Sequence, residues 1–376
     1  MSLYCIVMRR KECNVGLLII TFACFIYVTM VTMSLDFIRI TPRYQLTLAC
    51  DESTPNASQV LESSLELVSL KDKSISDRIL NVGEPTYPIM LWNKYLINNP
   101  DLCNMADNIS VLIVVKTDPL NFERRNIIRN TWSNYTHHSV VTRVLFLMGK
   151  VQNETIQENI SREFDEHLDI LQGDFLDTYR NLTNKGVMGL RWITENCMQA
   201  KMVVKVDDDA VIDTYRLLEI VYPIYETKTR YILCNIFMNG KAPIVRDEKH
   251  KWYVKDSELK QIGLLDKTIY PPYCSGFTAI ISTDLIPAMF GIAHLTPFFW
   301  VDDVYLYGLL PLKAGRIDYY SLASNYTFIY KNAMNCFSSK ECNILSVAEI
   351  KADEMMSIWD VIESYHLKQQ IPQDVK

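Results

Sequence analysis

Apolar residues divide the chain into three stretches. Between Cys13 and Leu35 there is no charged residue, and Leu, Ile, Phe, Val, Thr and Met predominate, enough to span a bilayer as one helix. From about Asp36 to about Asp107 the periodicity is weak, with serine-rich patches near Ser63 and Ser74 and prolines at Pro85, Pro88 and Pro100. From Ile109 onward, short apolar runs alternate with helical spacing. Val111-Leu112-Ile113-Val114-Val115 has the length and β-branching of a buried strand. Asn121 to Trp132 reads as a helix with a basic face, and Val144 to Leu147 as a second strand. Gln152 to His167, with Ile156, Ile160 and Phe164 at helical spacing, suits a surface helix. Asp169 to Leu171 predicts a short strand, Leu182 to Met198 a helix, and Met202 to Val206 and Tyr231 to Ile236 two further strands. A last helix from Val347 to His366 would carry Ile350, Met355, Ile358 and Ile362 on roughly one face. Strands alternating with helices imply an α/β domain, a mostly parallel sheet flanked by helices on both faces.

Flanking charge orients the first stretch. Arg9, Arg10 and Lys11 precede the apolar run, so the positive-inside bias leaves residues 1–12 in the cytosol as a short tail. Residues 13–35 are then a transmembrane signal anchor, 36–107 a lumenal stem and 108–376 the lumenal domain. The competing reading is a cleaved signal peptide, whose apolar region is usually about 7–15 residues and is followed by a small-residue cleavage site. Asn56, Asn108, Asn134, Asn153, Asn159, Asn181 and Asn325 each open an Asn-x-Ser/Thr triplet, a density that agrees with a lumenal domain. Seven cysteines follow the anchor, at 50, 103, 197, 234, 274, 336 and 342. An oxidising lumen permits disulfides among them. Six of them allow 15 pairings, which spacing alone does not choose between, although Cys336 and Cys342 are close enough to staple a loop. No Cys-x-x-Cys or Cys/His cluster with zinc spacing is present.

Composition narrows the classes. At 49% hydrophobic and 22% charged residues the chain has the make-up of a globular domain with a substantial core. The net charge is -6 and no basic block is interleaved with aromatics, which argues against a nucleic-acid partner. His294 and the pair His137-His138 lack partners at ligand spacing and read as structural or surface residues. The pointed chemistry lies at Asp207-Asp208-Asp209, directly after the apolar run that ends at Val206. Adjacent carboxylates repel, and such a group is usually balanced by a counter-charge such as a divalent cation bridging to phosphate oxygens. The plainer alternative is an acidic loop after a strand. In parallel sheets, however, ligands bind at the carboxyl ends of the strands, which is where this triplet falls.

A series of blocks then resembles one family. Val115-Lys116-Thr117 is followed by Asn121-Phe122-Glu123-Arg124-Arg125-Asn126-Ile127-Ile128-Arg129-Asn130-Thr131-Trp132, then by Phe146-Leu147-Met148-Gly149. Asp174-Phe175-Leu176-Asp177-Thr178-Tyr179-Arg180-Asn181-Leu182-Thr183 with Lys185, the Asp triplet, Lys251-Trp252-Tyr253, Tyr270-Pro271-Pro272-Tyr273-Cys274-Ser275-Gly276, and Asp302-Asp303-Val304 with Gly308 complete the order. Together they resemble the β-1,3-galactosyltransferases and β-1,3-N-acetylglucosaminyltransferases of the Golgi. The resemblance implies a GT-A type, Rossmann-like fold, a nucleotide-sugar donor, a divalent metal and an inverting transfer that leaves a β-1,3 bond. It implies UDP-galactose as donor, with UDP-N-acetylglucosamine or UDP-N-acetylgalactosamine as alternatives, a glycolipid or glycoprotein acceptor, and residence in the Golgi membrane as a single-pass type II protein.

The resemblance assigns roles as follows. Asp209 is the most direct metal contact, with Asp207 also on the metal and Asp208 supporting the donor. Manganese is the ion implied, and magnesium is allowed. Asp303 is the general base, in a position where many relatives have Glu-Asp-Val and this chain has Asp302-Asp303-Val304. Carboxylates at a helix N-terminus are the alternative for this pair. Arg125 and Arg129 share a helix face, four residues apart, and with Asp174 and Lys185 are candidates to contact the donor; Lys185 either pairs with the acidic cluster or is a surface lysine. Tyr270 to Gly276 would wall the donor from the acceptor. Many relatives continue from this Ser-Gly with a glycine and an aromatic, whereas here Phe277-Thr278-Ala279 follows. That departure leaves open altered specificity or a homologue that binds glycans without turnover. Oligomeric state is open.

Overall fold

The computed structural model describes residues 94–104, 109–137, 140–237 and 242–370. The expected anchor and most of the expected stem lie outside the described residues. Among the described residues, no helix is long and apolar enough to cross a membrane.

Eleven strands are described: β1 (Tyr95–Ile97), β2 (Ile109–Lys116), β3 (Val141–Lys150), β4 (Ile170–Leu176), β5 (Met202–Asp207), β6 (Val211–Ile212), β7 (Tyr231–Phe237), β8 (Tyr273–Ser282), β9 (Asp318–Ser321), β10 (Tyr326–Thr327) and β11 (Ser346–Val347). The main sheet has the order β1-β4-β3-β2-β5-β8-β7-β9, and a small sheet has the order β10-β11-β6. Strands β4, β3, β2 and β5 run parallel. Strand β8 enters antiparallel between β5 and β7 and reverses the pattern.

Every residue of β2 is buried, because side chains of one strand alternate between two covered faces. Leu112 and Val114 join one core with Leu145, Leu147, Val203 and Ile281. Onto it pack α3 (Leu182–Asn196) and α4 (Ile286–Ala293). Val111, Ile113 and Val115 join the other core with Phe146, Val204 and Ile280. That face is covered by α1 (Phe122–Asn130), α2 (Glu154–His167) and the last helix, α6 (Ala352–Gln370), through Ile128, Ile160, Met355, Ile358 and Ile362. A shorter α5 (Tyr330–Phe337) lies beside α6.

Three disulfides tie distant segments: Cys103–Cys197, Cys234–Cys274 and Cys336–Cys342. The first joins the segment before β2 to the end of α3, and β1 pairs antiparallel with β4. The folded part therefore includes Tyr95 to Cys103, within the stretch read from sequence as stem. The last helix begins at Ala352 rather than at Val347, because Ser346 and Val347 pair with Ile212 and Val211 of β6.

Candidate active site

The site forms where β2 and β5 end side by side, with Lys116 opposite Asp207 in the parallel register. Strand alternation sends Lys116, Lys205 and Asp207 toward the α3 and α4 face. Two lysines in strands buried on both sides need partners, since an unpaired buried charge is costly. Lys205 Nζ donates to Asp207 Oδ1 at 2.6 Å, and Lys116 Nζ bonds Asp302 and lies 4.0 Å from Asp207. Burial alone would lower Lys116, but Asp302 and Asp207 outweigh it and hold this lysine well above its usual value. Burial brings Lys205 down despite Asp207.

Asp208 turns the other way. Its Oδ2 accepts from Thr117 Oγ1 at 2.6 Å and Asn121 Nδ2 at 2.8 Å, and Arg124 lies 3.4 Å from Oδ1. The carboxylate thus ties the loop after β2 to the start of α1, which engages oxygens expected to support the donor. Asp209 is the opposite case. Its Oδ1 is buried without a hydrogen-bond partner, and burial, then Asp207 and Asp208, push its carboxyl up to about 6. Its carbonyl accepts from Ile350 N at 2.9 Å, so the segment after β11 braces the triplet from outside.

Asp302 and Asp303 begin a helical turn that widens into a π-helical one at Tyr305–Leu309. Such a bulge often marks a functional position. Thr183 Oγ1 anchors the preceding segment by donating to Phe299 O at 2.7 Å. Burial opposes ionisation of Asp302, yet the Lys116 and Lys205 ammonium groups hold it below the usual carboxylate range. Burial and the neighbouring Asp302 charge instead push Asp303 up to about 7. Two adjacent carboxyls driven apart in this way are a common basis for acid–base division of labour.

Strand β8 presents a bulge to Asp303. It pairs with β7 at Tyr273 and Cys274 and again from Ala279, leaving Ser275 to Thr278 facing a shorter stretch of β7. A bulge re-aims backbone groups, and here Gly276 N donates to Asp303 Oδ2 at 2.9 Å. A Cβ on residue 276 would overlap the Asp303 carboxylate. The close approach expected of Ser275-Gly276 is therefore to Asp303. Phe277 packs on Phe328 with ring centroids 5.2 Å apart, and Thr278 Oγ1 is 2.7 Å from Ser346 Oγ. The departure Phe277-Thr278-Ala279 is accommodated by packing against the C-terminal segment.

The remaining candidates are placed elsewhere. Arg125 is fully buried. Its guanidinium donates to Glu163, to Thr117 Oγ1 and to the carbonyls of Asp118 and Pro119, so its donors are used under the loop after β2. Arg129 binds Asp169 through Nε and Nη2 and Glu163 through Nη1. Both arginines brace α1 against α2 and the approach to β4. Lys185 is neither paired with the acidic triplet nor on the surface. It is 2% exposed, donates to Thr117 O at 2.7 Å and pairs with Asp177 at 2.9 Å, because the start of α3 lies under the end of β2. Asp174 is exposed and paired with Lys150 at 2.6 Å. Lys116, Lys205 and Asp177 were not singled out from sequence. Their signal was available as two lysines inside apolar strands.

Comparison with known proteins settles the family. A galactosyltransferase family model matches residues 123–322. The chain is 30% identical over 281 residues to beta-1,3-galactosyltransferase 1 of Mus musculus, covering 73% of this chain and 80% of that enzyme. The chain belongs to the galactosyltransferase family. Members of this family are hexosyltransferases, and Lys205, Asp207 to Asp209, Gly276, Asp302 and Asp303 all fall inside the matched residues. Other relatives are the N-acetyllactosaminide beta-1,3-N-acetylglucosaminyltransferase 2 of Homo sapiens, 30% identical over 73% of this chain and 67% of that one, and the lactosylceramide 1,3-N-acetyl-beta-D-glucosaminyltransferase A of Danio rerio, 31% identical over 59% of this chain and 58% of that one. Among solved structures, a WbbM bifunctional glycosyltransferase aligns with a TM-score of 0.40 and 10% identity over 71% of this chain and 53% of that one, too distant to bear on function.

Proposed function

We propose that this chain is an inverting β-1,3-glycosyltransferase that transfers galactose from UDP-galactose to a glycan acceptor on lipid or protein, working as a GT-A type enzyme in the Golgi lumen behind a type II anchor. The observation that carries the reading is the Asp302/Asp303 pair, ionised and lysine-bound on one side, raised to about 7 and aimed by Gly276 on the other. One-step inversion needs a base on the face opposite the leaving group. Asp303 takes the proton of the acceptor hydroxyl as that oxygen bonds to the anomeric carbon and the bond to the diphosphate breaks, releasing UDP.

The residues present fit a divalent cation. Asp209 has a buried, partnerless oxygen and a carboxyl raised by neighbouring charge, both relieved by a cation, and Asp207 offers the oxygen that Lys205 does not hold. Among the described residues, however, no cluster of three or more such side chains is preassembled, so phosphate oxygens and water would complete the shell. Manganese or magnesium held there supplies charge neutralisation on the departing diphosphate. Lys116 and Lys205 keep the surrounding carboxylates from repelling an anionic donor.

Galactose is favoured over N-acetylhexosamines by the family match and by the galactosyltransferase relative; the two N-acetylglucosaminyltransferase relatives are the reason to test the alternative. UDP release from UDP-galactose, UDP-N-acetylglucosamine and UDP-N-acetylgalactosamine, with manganese or with chelator, decides it. Manganese-dependent release with UDP-galactose alone is the expected result. Release with only an N-acetylhexosamine donor would overturn the galactose assignment and keep the mechanism.

A further inference from the structure

Just before the reacting carboxylates in the chain, Phe298, Phe299 and Trp300 join Arg180, Asn181, Glu258 and Gln261 in lining a recess of about 260 Å³. It falls just short of the roughly 300–1,000 Å³ of pockets that take whole drug-sized ligands, so its size suits one ring rather than a nucleotide sugar. Its position is fixed by the chain: only Val301 separates Trp300 from Asp302, and three residues place Asp303 at most about 11 Å further on. Two further aromatic side chains, linked to that lining through Trp300, keep much of their surface in solvent, Tyr179 at 46% and Trp252 at 52% exposed. They are held rather than loose. Trp252 Nε1 donates to Tyr179 Oη at 2.9 Å, Tyr179 lies 6.2 Å from the Trp300 ring, and Arg180 sits 4.3 Å over Trp300 while pairing with Glu258 at 3.1 Å. Lys251 Nζ is 4.7 Å from the Tyr179 ring.

We propose that this shelf and recess form an acceptor subsite that holds a saccharide ring one residue removed from the hydroxyl that reacts. A hexopyranose has an apolar face of C–H groups and a rim of hydroxyls. Exposed aromatic rings take the face, and fixed charged groups such as Arg180 and Glu258 take hydroxyls as hydrogen-bond partners. An aromatic shelf whose Trp300 lies three residues before the base Asp303 therefore fits the non-reacting part of an oligosaccharide acceptor. Binding of that part is energy available to orient the reacting hydroxyl. The assignment rests on the glycosyltransferase reading of Asp303, which the test separates from it.

The test uses the full chain and Trp252→Ala, with Trp252→Phe as the conservative variant. A melting temperature equal to that of the wild type establishes that Trp252→Ala is folded, as expected for a half-exposed side chain. Saturation-transfer NMR with lactose and N-acetyllactosamine reads binding without turnover. The wild type is expected to transfer saturation to at least one disaccharide, Trp252→Ala to lose it and Trp252→Phe to keep part of it. With an accepted disaccharide, KM rises roughly three- to tenfold in Trp252→Ala, the range of an aromatic contact, while KM for a monosaccharide acceptor stays put. Wild-type binding that Trp252→Ala retains in full, or no binding of either disaccharide to the wild type, overturns the subsite. UDP release by the wild type reports separately on the catalytic reading: disaccharide binding that depends on Trp252 without any UDP release leaves a saccharide-binding site at the shelf but overturns its role as an acceptor subsite.

Discussion

At the scale of single residues, the site turns on which carboxylate is neutralised. Asp302 spends its charge on Lys116, whereas Asp303 receives a backbone N–H from Gly276 and is raised to about 7 by burial and by Asp302. A base must be deprotonated, so kcat/KM is expected to fall as pH drops below about 7 and to level off above it. Asp303→Asn should cost about 10²- to 10⁴-fold in kcat, the range of general base catalysis, with UDP binding by calorimetry retained. Stability depends on pH in the opposite sense. A carboxyl whose folded pKa lies above its unfolded value gives stability present at low pH and lost as pH rises through about 7, so Asp303→Asn should melt no lower than the wild type at pH 8. A clear loss of melting temperature there would show Asp303 to be structural. Gly276→Ala is expected to be worse than its size suggests, destabilising by about 1–3 kcal/mol through overpacking and displacing Asp303, read as a fall in both melting temperature and kcat. The position of the acidic triplet at the end of β5 was legible in the sequence, whereas Asp303 was singled out by the family resemblance. Lys185 was not legible, because its partner Asp177 is eight residues earlier and meets it only after the 3-10 turn Tyr179–Asn181.

At the scale of elements, periodicity located β2, β5, α2 and α3 to within a few residues, since these are long and strongly patterned. It missed the true extent of β4, read as three residues and observed as seven, because its length is set by pairing with β3 on one side and β1 on the other. Strand β8 was read as a wall rather than as a strand. Its bulge and its antiparallel entry beside β5 depend on partners far away in sequence, as does the pairing of β11 with β6. Elements also decide which glycosylation triplets are usable. Asn181 Nδ2 donates to Leu176 O at 2.8 Å and Asn325 Nδ2 to Asn343 O at 2.7 Å, whereas Asn134 is exposed on a turn and Asn153 caps α2 through its oxygen. Peptide mass spectrometry of the secreted or membrane-bound protein is expected to find glycan at Asn134 and Asn153 and none at Asn181 or Asn325. Full occupancy of Asn181, which also lines the recess beside Trp300, would contradict both the local geometry and the proposed acceptor subsite.

At the scale of the whole molecule, one sheet brings the triplet, the two buried lysines and the Asp302-Asp303 turn together from segments spread over nearly two hundred residues. Two disulfides tie it further, Cys103–Cys197 at the end of α3 and Cys234–Cys274 between β7 and β8, and the C-terminal segment closes the outside of the triplet through Ile350. The fold class was legible from alternation of apolar runs with helical spacing, while disulfide pairing was not, because it depends on which strand ends meet. In the proposed mechanism Asp209 and Asp303 divide donor activation and acceptor deprotonation between them. The most direct measurement is acceptor-stimulated UDP release by the full chain with manganese, compared across wild type, Asp209→Ala and Asp303→Asn, each shown by melting to be folded. Release by the wild type is expected to disappear with chelator and to fall by at least about 10²-fold in both variants. Undiminished release by folded Asp303→Asn, or none from a wild type that binds UDP, would contradict that mechanism.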